Sequence, residues 1–428
     1  MKISRASLAG LFANRLFRNS LNLMLSSGIT SLFGFVFWIV IARTFDTAAV
    51  GLAGTLLSMS LLLSLLSMAG FDTIFMRFLG KSQQKNELLS GGLLGGSLAS
   101  ILIAGIFCLF LPLISPDLSF VTDSVWSVLA FIVFTWLSTI IALTNAAFIA
   151  YRRTSFVLVT GIIFSVIKVG LPVFLTNGGP MMIFAVVGIA QVVNVILNAV
   201  LLANNLHFKP TIKLRADTMT GMLHFGLAAY ASNILNLLPS SLLPILVVNN
   251  LGASNAGFFY IAFAIASLLY TIAFATNQVL LAEASHGEEP LEHYVRKGAK
   301  MISTLMVPAI ISLFLICPLI LGLFGGDYRE GATGILRVLC LNGFFVIANS
   351  LINFYFKSTK NLKAMLWMTA TNAIFTIVLA QLFIAPYGLI GVAIGSMLGS
   401  LLATFVGCLF VFKATRLAPI ALLRGLVR

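Results

Sequence analysis

The chain has 428 residues, of which 60% are hydrophobic and 9% charged, with a formal charge of +14; an ordinary soluble protein is about 25% charged. So few polar side chains cannot cover a water-soluble fold, whereas a bilayer supplies an apolar solvent directly. An appended catalytic domain is excluded as well, because every polar stretch between apolar runs is short, the longest being residues 283–300.

At about 20 apolar residues per crossing, spans are expected at 22–42, 50–70, 89–113, 125–149, 156–175, 181–203, 225–248, 257–281, 301–323, 334–355, 365–385 and 388–412. Nearly continuous apolar runs such as 56–66 and 181–202 exclude barrel strands, which alternate apolar with polar. Helices are the remaining spanning element. Basic residues Lys2, Arg5, Arg15 and Arg18 precede the first span, but no small-residue cleavage site follows, so it is read as a retained helix.

When ends and loops are assigned alternately to two sides, 22 of the 26 Lys and Arg residues fall on one side. The other side holds Arg43, Arg329 and Arg337, and Lys168 lies within a span. The positive-inside rule then makes the rich side cytoplasmic, both termini included, in an inner membrane. The basic residues are split among short loops with no recognition module, which argues against nucleic acid; membrane lipid headgroups are the expected contact. Cys108, Cys317, Cys340 and Cys408 all sit in apolar runs and the four histidines are scattered, so no metal site or other cofactor is expected.

The polar stretch 203–219 divides the chain into an N-terminal six-helix lobe (1–206), a connector (207–220) and a C-terminal six-helix lobe (221–428). An ungapped shift of 206 residues places Arg43 on Asn249, Gly51 on Gly257, Asp72 on Gln278 and Arg77 on Glu283. The shared pattern is a long span, a short polar turn closing on Gly, and a second span with a polar residue at its inner end. The fold expected is therefore all-α and polytopic, with about twelve transmembrane helices in two lobes related by pseudo-symmetry. Repeats of this kind build transporters with a central site.

Function has to reside in polar groups that a membrane makes expensive. Lys168, in Phe164-Ser-Val-Ile-Lys-Val-Gly-Leu-Pro172, lies about two residues past the middle of span 5. A charge near mid-bilayer costs at least ~2.5 kcal/mol, so Lys168 faces a wet cavity or a counter-ion. Pro172, four residues on, is expected to free a backbone carbonyl and bend the helix. Arg43 and Arg337 stand on the basic-poor side, each either snorkelling to the interface or serving the outer mouth. Asp72 and Arg77 flank the inner end of span 2, five residues apart and therefore on different helix faces. The amides Gln191, Asn194 and Asn198 form one helical stripe, and Asn342, Asn349 and Asn353 another; such stripes hydrogen-bond sugars or join helices. The runs Gly91–Gly96 and Gly391–Gly395 lie inside spans and read as close-packing sites.

The segments Ile41-Ala-Arg-Thr-Phe-Asp-Thr-Ala-Ala-Val-Gly-Leu52, Gly70-Phe-Asp-Thr-Ile-Phe-Met-Arg-Phe-Leu79, Leu323-Phe-Gly-Gly-Asp-Tyr328 and Phe383-Ile-Ala-Pro-Tyr-Gly-Leu-Ile-Gly-Val-Ala-Ile-Gly395 resemble those of Wzx-type bacterial polysaccharide flippases. These belong to the multidrug/oligosaccharidyl-lipid/polysaccharide exporter superfamily. The resemblance implies two six-helix lobes around a cavity, and flipping of an undecaprenyl-pyrophosphate-linked oligosaccharide, such as an O-antigen, capsule or exopolysaccharide unit. It implies a non-enzymatic protein working beside other polysaccharide assembly proteins. Basic cavity residues would meet the pyrophosphate, which nominates Lys168, Arg43 and Arg77. Asp72, Gln278, Arg337, Asn194, Asn198, Asn349 and Asn353 are secondary candidates. A coupling ion, proton or sodium, is left open. The competing readings are a cation-coupled multidrug exporter, which needs intramembrane carboxylates; a membrane glycosyltransferase or polymerase, which needs catalytic acids; and a transport-dead scaffold.

Overall fold

The computed structural model describes residues 15–175, 178–211, 216–286 and 290–415, and within them the side chains except at 15–18, 20–21, 216–229, 278, 282–283, 285–286 and 414–415. Lys2, Arg5, Lys213, Arg215, Arg416, Arg424 and Arg428 lie outside the described residues, as do the side chains of Arg15, Arg18, Gln278 and Glu283. The described residues form an all-α, multi-pass membrane protein. Its long helices are α1 (Arg15–Thr44), α2 (Thr47–Met68), α3 (Lys85–Ile114), α4 (Val125–Ala150), α5 (Thr154–Gly170), α6 (Pro180–Leu206), α7 (Ala216–Leu251), α8 (Ala253–His286), α9 (Leu291–Gly322) and α10 (Thr333–Ser358). A last helical run, Leu362–Thr415, breaks at Gly388 (φ 55°, ψ −136°) into α11 (362–387) and α12 (389–415).

That break makes a hairpin, and its glycines show why. A Cβ on Gly391 would strike the Phe383 carbonyl, one on Gly395 the Ala380 backbone, one on Gly399 Thr376, and one on Gly407 Met368. The paired residues close up on the sequence together, as two antiparallel helices in contact require. The run Gly391–Gly395 is thus a close-packing site. Its counterpart in α3 behaves the same way, with Gly92 under the Phe75 ring and Gly96 under Leu143.

Helix α9 corrects the sequence reading. The stretch 283–300 is not a loop: α8 runs to His286 and α9 begins at Leu291, ten residues before the predicted span. Hydropathy detects only the apolar part of a helix that continues past the bilayer. At the other end of the chain's midpoint, α6 runs to Leu206 and α7 starts at Ala216.

By backbone contacts the chain forms two compact units. One takes the chain up to Phe45 and Leu56–Ile234, and the other takes Asp46–Thr55 and the chain from Leu235 onward. Helix α2 begins in the second unit and continues in the first; it carries no charged residue, and its Val50, Ala53 and Leu56 sites are fully buried. Hydroxyls join its later turns to its neighbours: Ser60 to Thr135 (3.0 Å), and Ser64 to Thr139 (3.1 Å), whose hydroxyl also lies 3.2 Å from that of Ser100. Ala69 and Gly70, both left-handed (φ 48° and 83°), stop α2 before a short helix Phe71–Ile74 and a π-turn Phe75–Leu79.

In the second unit, the starts of α2 and α8 cross at glycine. A Cβ on Gly51 would strike the Ala253 carbonyl, and one on Gly257 would strike the Thr47 carbonyl. The 206-residue shift maps Thr47 onto Ala253 and Gly51 onto Gly257, so this contact is reciprocal under the sequence repeat. Elsewhere in this unit, Tyr270 Oη donates to the Leu339 carbonyl (2.6 Å) and accepts from Asn342 (3.3 Å). Asn277 donates to the Ser350 carbonyl (2.7 Å).

Candidate functional site

Lys168 lies on α5, which packs along α1. Asn22 donates to Thr154 (3.5 Å), Ser26 to the Val157 carbonyl (3.5 Å), and Gly161 leaves room for Ser26 and Thr30. At the far end of this seam the Lys168 ammonium stands 4.8 Å from the Phe37 ring centroid and 5.4 Å from that of Phe164. Phe164 is one turn back on the same helix; Phe37 comes from α1 and is fully buried. Two ring faces hold the cation by their quadrupoles. Among the described residues no carboxylate pairs with it.

Two sequence expectations change here. The apolar crossing is Thr154–Val173, so Lys168 is five residues, about 7.5 Å of helical rise, from its Val173 end rather than near its middle. Pro172 does not bend the helix: it is buried within a 3-10 turn, Leu171–Val173, that ends α5. Without an amide hydrogen it suits the opening position of that 3-10 turn, where the turn itself needs no donor.

Arg43 occupies the last turn of α1 and is exposed, six residues or about 9 Å beyond Phe37. Lys168 and Arg43 therefore share the half of the α1–α5 seam that holds the end of α1 and the end of α5. Arg77 does not join them. It lies in the π-turn past the other end of α2, exposed, with its guanidinium 5.4 Å from the Phe78 ring. Near that end, Tyr230 donates to the Leu66 carbonyl (2.5 Å), a contact no sequence spacing announces. Asp72 accepts from Thr73 (3.4 Å). Arg337, exposed on the second turn of α10, lies 5.6 Å from the Phe314 ring of α9.

The amide stripes are used in helix packing. From α6, Gln191 donates to Ser138 (2.7 Å), Asn194 to the Thr160 carbonyl (3.2 Å) and Asn198 to Thr144 (2.8 Å). Asn349 donates to the Ser400 carbonyl (3.0 Å) and accepts from Thr404 (3.0 Å). Asn353 is partly buried on α10. No group of three or more metal-ligating side chains occurs among the described residues.

The described residues thus form an all-α membrane protein whose long apolar helices carry isolated cations such as Lys168 in their seams. The family is narrower: the polysaccharide biosynthesis protein model matches residues 40–333, and the chain belongs to that family. This bears out the resemblance to Wzx-type polysaccharide flippases read from the sequence. No curated protein sequence matches the chain. Among solved structures, it is similar to the lipid II flippase MurJ in an inward closed conformation, with a TM-score of 0.76 at 14% identity over 94% of this chain and 89% of that one. An inward-facing multidrug resistance MATE family transporter gives 0.68 at 17%, over 92% and 99%. A transporter of the same superfamily from Pyrococcus furiosus gives 0.62 at 17%, over 92% and 94%. These likenesses establish the fold.

Proposed function

We propose that the chain is a flippase that moves an undecaprenyl-pyrophosphate-linked oligosaccharide across the inner membrane by alternating access, without covalent chemistry. The observation that carries this reading is the Lys168 ammonium, held between Phe37 and Phe164 with no carboxylate partner among the described residues. A fixed cation in a low-dielectric setting attracts an anionic head far more strongly than it would in water. A cation-coupled drug exporter would instead need buried acids. The family and the likeness to a lipid II flippase support a lipid-linked substrate. The test is reconstitution: vesicles carrying the protein should move lipid-linked oligosaccharide between leaflets faster than empty vesicles, as read by glycosyltransferase or lectin access. No acceleration for any such lipid, alongside export of a cationic dye, would favour the exporter.

The same reading places the basic loops and both termini in the cytoplasm. Cysteines introduced at Ser119 and Asn255 should react with a membrane-impermeant maleimide added outside intact cells, and those at Lys209 and Lys360 should not. Labelling at Lys360 would reverse the orientation.

A further inference from the structure

A cleft of about 620 Å³ opens at the basic end of the first unit, where the turn before α3, the α4–α5 turn and the end of α6 meet. Gln84, Lys85, Glu87, Tyr151, Asn205 and His207 line it. The Lys85 ammonium stands 5.8 Å from the Tyr151 ring centroid. Lys81, Arg152, Arg153 and Lys209, all exposed, lie within three positions of these lining residues, so cations outnumber Glu87 in the segments that form the cleft.

The walls are fixed rather than loose. Arg152 adopts a left-handed conformation (φ 57°) that returns the Arg153 amide to the Phe148 carbonyl (2.8 Å). His207, also left-handed (φ 51°), caps α6 and is followed by Phe208 donating to the Leu202 carbonyl (3.0 Å). The connector is then pinned by the Thr211 amide on Ser90 Oγ (3.0 Å). Beneath the cleft lies an apolar cluster including Leu88, Leu89, Phe148 and Leu202, with Tyr151 and Leu206 packed against it. A polar, cation-bordered cleft backed through Tyr151 and Leu206 by apolar packing suits the headgroup of an amphiphile whose tails stay in lipid.

We infer that this cleft binds the phosphate headgroup of an anionic phospholipid of the inner leaflet, with Lys85 as its principal contact. Basic pockets between membrane helices on the cytoplasmic side commonly take such headgroups. The inference goes beyond the flippase reading, since it concerns a membrane lipid and not the transported one; it rests on that reading only for the cytoplasmic placement of the basic loops.

The test is native mass spectrometry on the delipidated full-length protein with phosphatidylglycerol added, using phosphatidylcholine as the neutral comparison. The wild type should retain one saturable phosphatidylglycerol and no such phosphatidylcholine. Lys85→Glu should weaken that site about tenfold, Lys85→Arg should keep it, and Lys363→Glu, an exposed cation elsewhere on the basic side, should leave it unchanged. Size-exclusion profiles identical to wild type confirm that the variants fold. Equal losses for Lys85→Glu and Lys363→Glu would mean diffuse attraction to a basic face and overturn the inference. Displacement by millimolar inorganic phosphate, or saturable binding of undecaprenyl phosphate alone, would assign the cleft to another anion and overturn it equally.

Discussion

Gly51→Ala should lower the melting temperature of the purified protein substantially, and Gly51→Leu should abolish accumulation of a monodisperse species. At this position α2 meets α8 backbone to backbone: an added Cβ would strike the Ala253 carbonyl and lie 2.5 Å from the Gly257 amide nitrogen. Neither partner is a side-chain tip that can rotate away, so the helices themselves must part. Overpacking of this kind costs about 1–3 kcal/mol for small additions, and in a membrane close backbone approach is itself the main source of helix affinity. The reciprocal contact, Gly257 over the Thr47 carbonyl, predicts a similar loss for Gly257→Ala. The double variant should lose less than the sum, because the first substitution already separates the helices. Gly105→Ala is the control, since a Cβ there meets nothing within 4 Å, and it should melt like the wild type. Equal melting temperatures for Gly51→Ala and Gly105→Ala would show that the crossing carries no stability.

The motifs that carry the family resemblance prove to be joints of the fold. Asp46 accepts the Ala49 amide (3.3 Å) and so caps α2, whose fifth residue is the crossing glycine. Gly70 turns the chain into the segment whose Phe71 and Phe75 pack on Gly92. Tyr328, almost fully buried, stacks edge-on against Phe258 and tilts against Phe324. Gly388 opens the α11–α12 hairpin.

These positions were visible in the sequence because the backbone conformations they need admit few residue types. The twelve crossings were legible for a similar reason, since a bilayer demands a fixed length of apolar helix. The ends were less so: α9 starts ten residues before its apolar part because a helix in contact with water or headgroups needs no hydropathy. The site was read only in outline. Lys168 and Phe164, one turn apart, could be paired from sequence, but Phe37 comes from another helix and its closeness to Lys168 depends on the α1–α5 packing. The amides were readable as stripes. Their use as ties between α6 and its neighbours was not, because period alone does not say what a helix face meets. Arg77 and Lys168, grouped by charge alone, stand at opposite ends of the first unit's helices.

Lys168→Ala should leave the protein stable and cut transport by roughly 10- to 100-fold, the range expected when a charged hydrogen-bonding partner worth about 1.5–3 kcal/mol is lost. Stability should survive because two effects offset one another. The substitution gives up a cation–π contact worth ~0.5–2 kcal/mol but also relieves the cost of holding a charge within the membrane. Transport should not survive, because an anionic head passing the α1–α5 seam loses the one fixed charge that Phe37 and Phe164 hold in position. Lys168→Arg should retain part of the activity, since a guanidinium keeps the charge and stacks on the same rings. Phe164→Leu should fall between the two, keeping the charge but loosening its placement. The measurements are melting temperature in detergent, and complementation of a flippase-deficient strain with quantification of lipid-linked oligosaccharide left on the inner leaflet. If Lys168→Ala exports glycan at the wild-type rate, the caged ammonium is a packing feature and the flippase reading loses the observation that carries it. If Lys168→Ala is inactive but also melts early, the intermediate activity expected of Phe164→Leu at normal stability decides whether charge placement or folding is at stake.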